Sequence, residues 1–167
     1  MKSEIKNSKF RILAVDPGLE RVGIAILEKE RGGKEVLIFS ECFKTKSSLS
    51  LPERLNLIGS HINKIVTEYE PSALAIESLF FAANQKTAMV VSQARGVIVY
   101  EGTRGGLPIH EYTPLQIKVA VTGYGKATKS QVDSMVQKLI KIQKKIKSDD
   151  EMDAVAIGLT CFAYLRN

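Results

Sequence analysis

Cysteine and histidine are scarce in this chain of 167 residues, with two of each. Cys42 and Cys161 lie far apart without CxxC spacing, and His61 and His110 each stand alone, so neither a disulfide framework nor a zinc site is indicated. Buried thiols in a reducing cell are the plain expectation. Long apolar runs are missing too. The longest, Ala154 to Leu165, is too short to cross a bilayer, and the polar opening "MKSEIKNSKF" lacks the apolar core of a signal peptide. We therefore expect a cytoplasmic protein. No internal repeat or low-complexity linker interrupts the chain. With 44% hydrophobic and 25% charged residues, its length suits one core and leaves no room for two comfortable domains. Residues 1–9 are expected to fray and residues 10–167 to form a single domain.

What is abundant is positive charge. Twenty-four Lys and Arg against 18 Asp and Glu give a formal charge of +6, which favours a polyanionic partner. Lys138, Lys141, Lys144, Lys145 and Lys147 crowd into "KLIKIQKKIK", which reads either as a solvated helix face or as part of a polyanion surface.

The chain begins with strands. "FRILAVD" is an apolar run of strand formers closed by the turn "PGLER", "VGIAILE" alternates Val22, Ile24 and Ile26 on one face, and "EVLIFSECF" follows the turn "RGGK". Links this short make an antiparallel meander. Ser50, Pro52 and Glu53 then start a helix in which Leu55, Ile58, Ile62, Ile65, Val66 and Tyr69 recur at helical spacing. Pro71 ends it, "ALAIE" is a short buried strand, and a helix from Asn84 carries apolar residues on nearly every side. "PIHEY" predicts a fifth strand, followed by helices from about Pro114, from Ser130 and over Ala154 to Leu165. The pattern implies an α/β fold with a five-stranded mixed sheet, antiparallel then parallel, flanked by helices. This order is similar to the ribonuclease H-like fold.

Acids stand where buried strands should not spend them. Asp16 closes the first strand and Glu77 closes "ALAIE", and a charge at a buried sheet edge is expensive unless compensated. Each alone reads as a turn or cap. If the first and fourth strands are parallel neighbours, however, both acids reach one end of the sheet, where the final helix can add Asp153. Clustered carboxylates repel, and a hard divalent cation with oxygen ligands, Mg²⁺ or Mn²⁺, resolves the conflict. Just before that helix, "KSDDEMD" holds Asp149, Asp150, Glu151 and Asp153. Both Asp149 and Asp150 can share a helix face with Asp153, and spacing does not choose between them. In "TGYGKATKS", Gly123 and Gly125 would let backbone approach phosphates while Lys126 and Lys129 supply charge; the competing reading is a turn ending in a capping box from Thr128 to Gln131.

Together, "ILAVDPGLERVGIAIL", "LAIESLFFAANQKTAMVVSQARG", "YTPLQIKVAVTGYGKATKSQV" and "DDEMDAVAIGLT" closely resemble the RuvC family of bacterial Holliday junction resolvases, from about Arg11 to Thr160. The resemblance implies a homodimeric, ribonuclease H-like endonuclease that nicks two symmetric strands of a four-way DNA junction in recombination and repair, leaving 5′-phosphate and 3′-hydroxyl ends. It implies Mg²⁺, with Mn²⁺ as a substitute and two ions per site during catalysis, and cooperation with the branch-migration proteins RuvA and RuvB. By the same match Asp16, Glu77, Asp150 and Asp153 are the catalytic, metal-holding acids. That leaves Asp149 or Ser148 for the helix cap and Glu151 for solvent. Lys118 and Lys129 match basic residues at the scissile phosphate. Phe80 matches an aromatic residue set against unpaired bases, whereas Phe81 is expected in the core. The helix "AMVVSQARGVIVY" matches a dimer interface, where Gly96 permits close approach; full burial within one subunit is the competing reading. A ribonuclease H-like nuclease acting on another branched or RNA-containing substrate, and a catalytically idle junction-binding protein, remain alternatives.

Overall fold

A computed structural model describes residues 9–78, 85–142 and 145–165. Three strands, β1 (Phe10–Asp16), β2 (Arg21–Lys29) and β3 (Glu35–Lys44), form the expected meander. Helix α1 (Leu51–Tyr69) then crosses to β4 (Ala73–Glu77), and α2 (Gln85–Arg104) crosses to β5 (Ile109–Tyr112). Three helices complete the chain: α3 (Pro114–Thr122), α4 (Lys129–Leu139) and α5 (Asp149–Leu165). The sheet order is β3-β2-β1-β4-β5, with β1, β4 and β5 parallel. Short turns allow only antiparallel neighbours, whereas each helical crossover returns the chain in the same direction.

The pleat sorts side chains into two cores. Leu13, Val15, Ile24, Ile26, Leu74 and Ile76 face α1 and α2. Ile12, Ala14, Ala25, Leu27 and Ala75 face the opposite side, against α5. Helix α5 is apolar on nearly all sides because it lies between that face and helices α3 and α4.

Helix starts follow local chemistry. Ser50 and Glu53 form a capping box at α1, with the Ser50 backbone N–H donating to Glu53 Oε2 at 2.7 Å. Thr113 and Thr128 cap α3 and α4 in the same way, each with a glutamine at the third helical position. Helix α4 therefore begins at Lys129, directly after its cap. It ends at Leu139, so the lysine run does not form one helix face: Lys141 makes an isolated bridge to Val36, and Lys145 and Lys147 lie in the link to α5. Among the described residues, no helix is long and apolar enough to cross a membrane.

Candidate active site at one end of the sheet

The register brings two acids together. Strands β1 and β4 pair in parallel from Ile12–Ala73 to Val15–Ile76, and one further step sets Asp16 beside Glu77. The alternation that turns Ile12 and Ala14 toward α5 also turns Asp16 that way, and Glu77 follows Ala75 likewise. On its other side Asp16 pairs with Gly23 of β2. A Cβ on Gly23 would stand 2.0 Å from the Asp150 carbonyl oxygen and 3.2 Å from the Asp150 Cβ. Glycine is thus what lets the first turn of α5 rest on the sheet, with Asp150 over β2 and near Asp16.

The electrostatics record the crowding. Burial, then the charges of Glu77, Asp153 and Asp150, push the Asp16 carboxyl up to about 8, and Lys129 only partly opposes them. Burial and Asp153 raise Glu77 in the same direction. Asp150 behaves differently. Burial works against its charge, but hydrogen bonding and attraction from Arg21 outweigh that and hold its carboxyl below the ordinary range. Arg21 donates to Asp150 Oδ2 from Nε at 2.8 Å and sets Nη2 at 2.6 Å, while the Cys42 thiol donates to the same oxygen at 3.5 Å. Lys129 Nζ donates to both oxygens of Asp153, at 2.6 and 2.7 Å.

These donors fit a hard divalent cation in kind: four carboxylates, oxygen ligands only, where burial and then mutual repulsion drive one of them toward neutrality. Among the described residues, no three His, Cys, Asp or Glu side chains already surround one point as ligands. The ion pairs give the reason, since Arg21 and Lys129 hold the two α5 acids.

The acidic quartet divides as follows. Ser148 is the cap, its hydroxyl accepting from the Glu151 backbone N–H at 3.2 Å. Asp149 is exposed, and its charge acts on Lys129 and Asp133, whereas Asp150 acts on Asp16. Glu151 departs from expectation. It is only 6% exposed and accepts a hydrogen bond from Ser40 Oγ at 2.9 Å, because the third position of α5 faces β3 rather than solvent.

Lys118, Lys129, Glu77 and Asp153 line one cavity of about 210 Å³ between α3, α4 and α5. Lys126 is exposed on the α3–α4 turn, outside that cavity. In the same turn Gly123 has φ +74° and closes α3, and a Cβ on Gly125 would stand 2.7 Å from Leu115 Cδ1. Gly123 thus has a structural reason independent of phosphate approach, whereas the Leu115 side chain, 60% exposed, could yield to a residue at Gly125. Phe80 and Phe81 lie outside the described residues. Cys161 is buried as expected, but Cys42 is only half-buried and reaches the site.

Sequence reasoning missed Arg21 and Arg95. Arg95 Nε donates to the Glu77 carbonyl oxygen at 3.2 Å, and its Nη2 pairs with Glu111 at 2.6 Å, which ties α2 to the ends of β4 and β5. Arg21 had a legible signal: it is two residues before Gly23 and so shares its face of the strand. Nothing local marks Arg95.

Comparison with known proteins agrees with this architecture. The family model "Crossover junction endodeoxyribonuclease RuvC" matches residues 12–161. The RuvC of Halothermothrix orenii is 47% identical over 148 residues, 89% of each chain. That of Alkaliphilus oremlandii is 44% identical over 156 residues, 93% of this chain and 94% of the other. Among solved structures, Thermus thermophilus RuvC in complex with Holliday junction substrate superposes with a TM-score of 0.88 at 28% identity, covering 94% of this chain and 95% of that one. The yeast mitochondrial Holliday junction resolvase Ydc2, 12% identical with a TM-score of 0.71, shares the fold over 94% of this chain and 79% of its own. With its strand order, its acids at the β1 and β4 ends and a family match over nearly its whole length, the chain belongs to the RuvC crossover junction endodeoxyribonuclease family.

Proposed function

We propose that this chain is a Holliday junction resolvase, a hydrolase that nicks two symmetry-related strands of a four-way DNA junction and leaves 5′-phosphate and 3′-hydroxyl ends. The observation that carries this reading is the meeting of Asp16 and Glu77, at adjacent parallel strand ends, with the acidic first turn of α5. Membership of the family supplies the substrate.

Asp16, Glu77, Asp150 and Asp153 would hold the metal. Bound Mg²⁺, with Mn²⁺ as a substitute and two ions per site, supplies Lewis acidity for in-line attack of water on phosphorus. Lys118 and Lys129, facing the same cavity as Glu77 and Asp153, orient the scissile phosphate and offset charge that develops on it. Lys126 adds attraction for the backbone beside the site. Phe80, three residues beyond Glu77, stacks on an unpaired base at the crossover, worth about 1–3 kcal/mol.

Two cuts need two sites, so the active species is a two-fold dimer. Helix α2 supports this: Met89 and Tyr100 are 62% and 63% exposed, and a Cβ on Gly96 would meet nothing within 4 Å. At helical spacing these three share a face, open to a second copy. By family, RuvA and RuvB are its partners, and the single domain over residues 10–167 works in the cytoplasm.

The test is incubation of purified protein with labelled four-way junction, linear duplex and RNA–DNA hybrid, in Mg²⁺ or Ca²⁺. Paired symmetric nicks confined to the junction in Mg²⁺ are expected. Binding without cutting would identify an idle binder, and selective cleavage of the hybrid would identify an RNA-directed nuclease.

A further inference from the structure

The lysine run before α5 takes no part in the site described above. Lys145 and Lys147 instead line an open groove of about 640 Å³ together with Arg21 and Lys44. These residues are distant in sequence, and tertiary structure alone assembles them. The groove adjoins the active site directly, because its Arg21 is the residue that pairs with Asp150.

Arg21 and Lys44 are direct cross-strand partners on β2 and β3, and only Arg21 has an acid as its partner, Asp150. Lys44, Lys145 and Lys147 are all exposed, and none is in an ion pair with a described residue. Two acids also border the groove: Glu41, which contacts His61, and Glu151, which is buried against Ser40, so four cations face two carboxylates there. Exposed cations gathered in one groove attract a polyanion.

We propose that this groove, built from Arg21, Lys44, Lys145 and Lys147, carries the sugar–phosphate backbone of the DNA arm leaving the cleavage point on the β2–β3 side. It lies across Asp150 from the cavity lined by Lys118 and Lys129, so the two basic surfaces flank the acids and the strand runs between them. This inference rests on the proposed junction-cutting function. Lysine and arginine are the side chains that most often contact phosphate oxygens, which suits an interaction with backbone.

The experiment compares wild type, Lys44→Glu/Lys147→Glu and a charge-matched control, Lys34→Glu/Lys64→Glu, on exposed residues outside the groove. Binding to a labelled four-way junction is followed by fluorescence anisotropy in Ca²⁺ across a salt series. The slope of log affinity against log salt flattens by about 0.9 for every phosphate that the protein no longer neutralises. The groove variant should therefore flatten by about 2 relative to the control, with all three proteins unfolding at the same temperature. Equal slopes for the groove variant and the control would overturn the proposal. The junction-cutting function fails separately: it falls if wild type neither binds nor cuts the junction, whatever the variants do.

Discussion

Lys129, the first residue of α4, donates its ammonium to both carboxylate oxygens of Asp153, at 2.6 and 2.7 Å, across 24 residues of sequence. The pair joins a helix start to the α5 acid, while Val132 and Val136 seat α4 in the core. It also gives the proposed site a cation to meet a phosphate oxygen. Lys129→Ala should lower the single-turnover cutting rate by about 10²–10³-fold, the usual loss for one preorganised donor. Asp153→Asn should abolish cutting while leaving junction affinity in Ca²⁺ within a few-fold. An active Asp153→Asn variant would remove that carboxylate from the mechanism.

Asp149 and Asp150 are neighbours with different duties. Asp150 lies over Gly23 and acts on Asp16, whereas Asp149 is exposed and acts on Lys129. Asp149→Asn should cut within a few-fold of wild type, and Asp150→Asn should lose at least about 10²-fold, as removal of a site group does. Parallel cleavage time courses on one junction decide it, and the reverse ranking would assign the site to Asp149.

The Asp16 carboxyl has a consequence for stability. In the metal-free folded chain it ionises near 8, against 3.8 for an ordinary Asp. Between those limits the folded state keeps a proton that the unfolded state has released, so this group's contribution falls as pH rises. In EDTA, wild type should therefore lose more stability than Asp16→Asn between pH 5 and pH 8, roughly the interval between the two values. Adding Mg²⁺ at pH 8 should restore wild type more than the variant. Thermal melts across pH measure both; parallel profiles in EDTA would refute the buried, crowded state of Asp16.

Gly23→Ala tests how α5 is seated. The added methyl would meet the Asp150 carbonyl oxygen at 2.0 Å, and backbone cannot yield as a flexible side chain does. Overpacking of this kind costs about 1–3 kcal/mol, measurable by urea unfolding. Cutting should fall as well, because the displaced turn carries Asp150.

Much of this protein was legible along the chain. Alternation marked β2, helical spacing marked α1, and short links dictated the meander, because these depend on neighbours within a few residues. Caps at Ser50, Thr113 and Thr128 were written in residues three apart. Even the meeting of Asp16 with Glu77 was within reach as a conditional: if the fourth strand, returning from the third through a helix, pairs in parallel with the first, their last residues share an end.

Tertiary structure decided what depends on which surfaces meet. Glu151 is buried although its neighbours are acidic, because α5 turns its third position toward Ser40 on β3. Arg21 and Cys42 reach Asp150, more than 100 residues away, through the pairing of β2 with β3 and the close approach at Gly23. The basic groove draws Lys145 and Lys147 to Arg21 and Lys44 in the same way. Sequence alone determined most elements, the mixed sheet and the acids at its strand ends, since periodicity and local chemistry carry that information; the order of the strands came with the tertiary fold. Which cation holds which acid was decided only when the helix came down on the sheet, because an ion pair depends on distance in space and not on spacing in the chain.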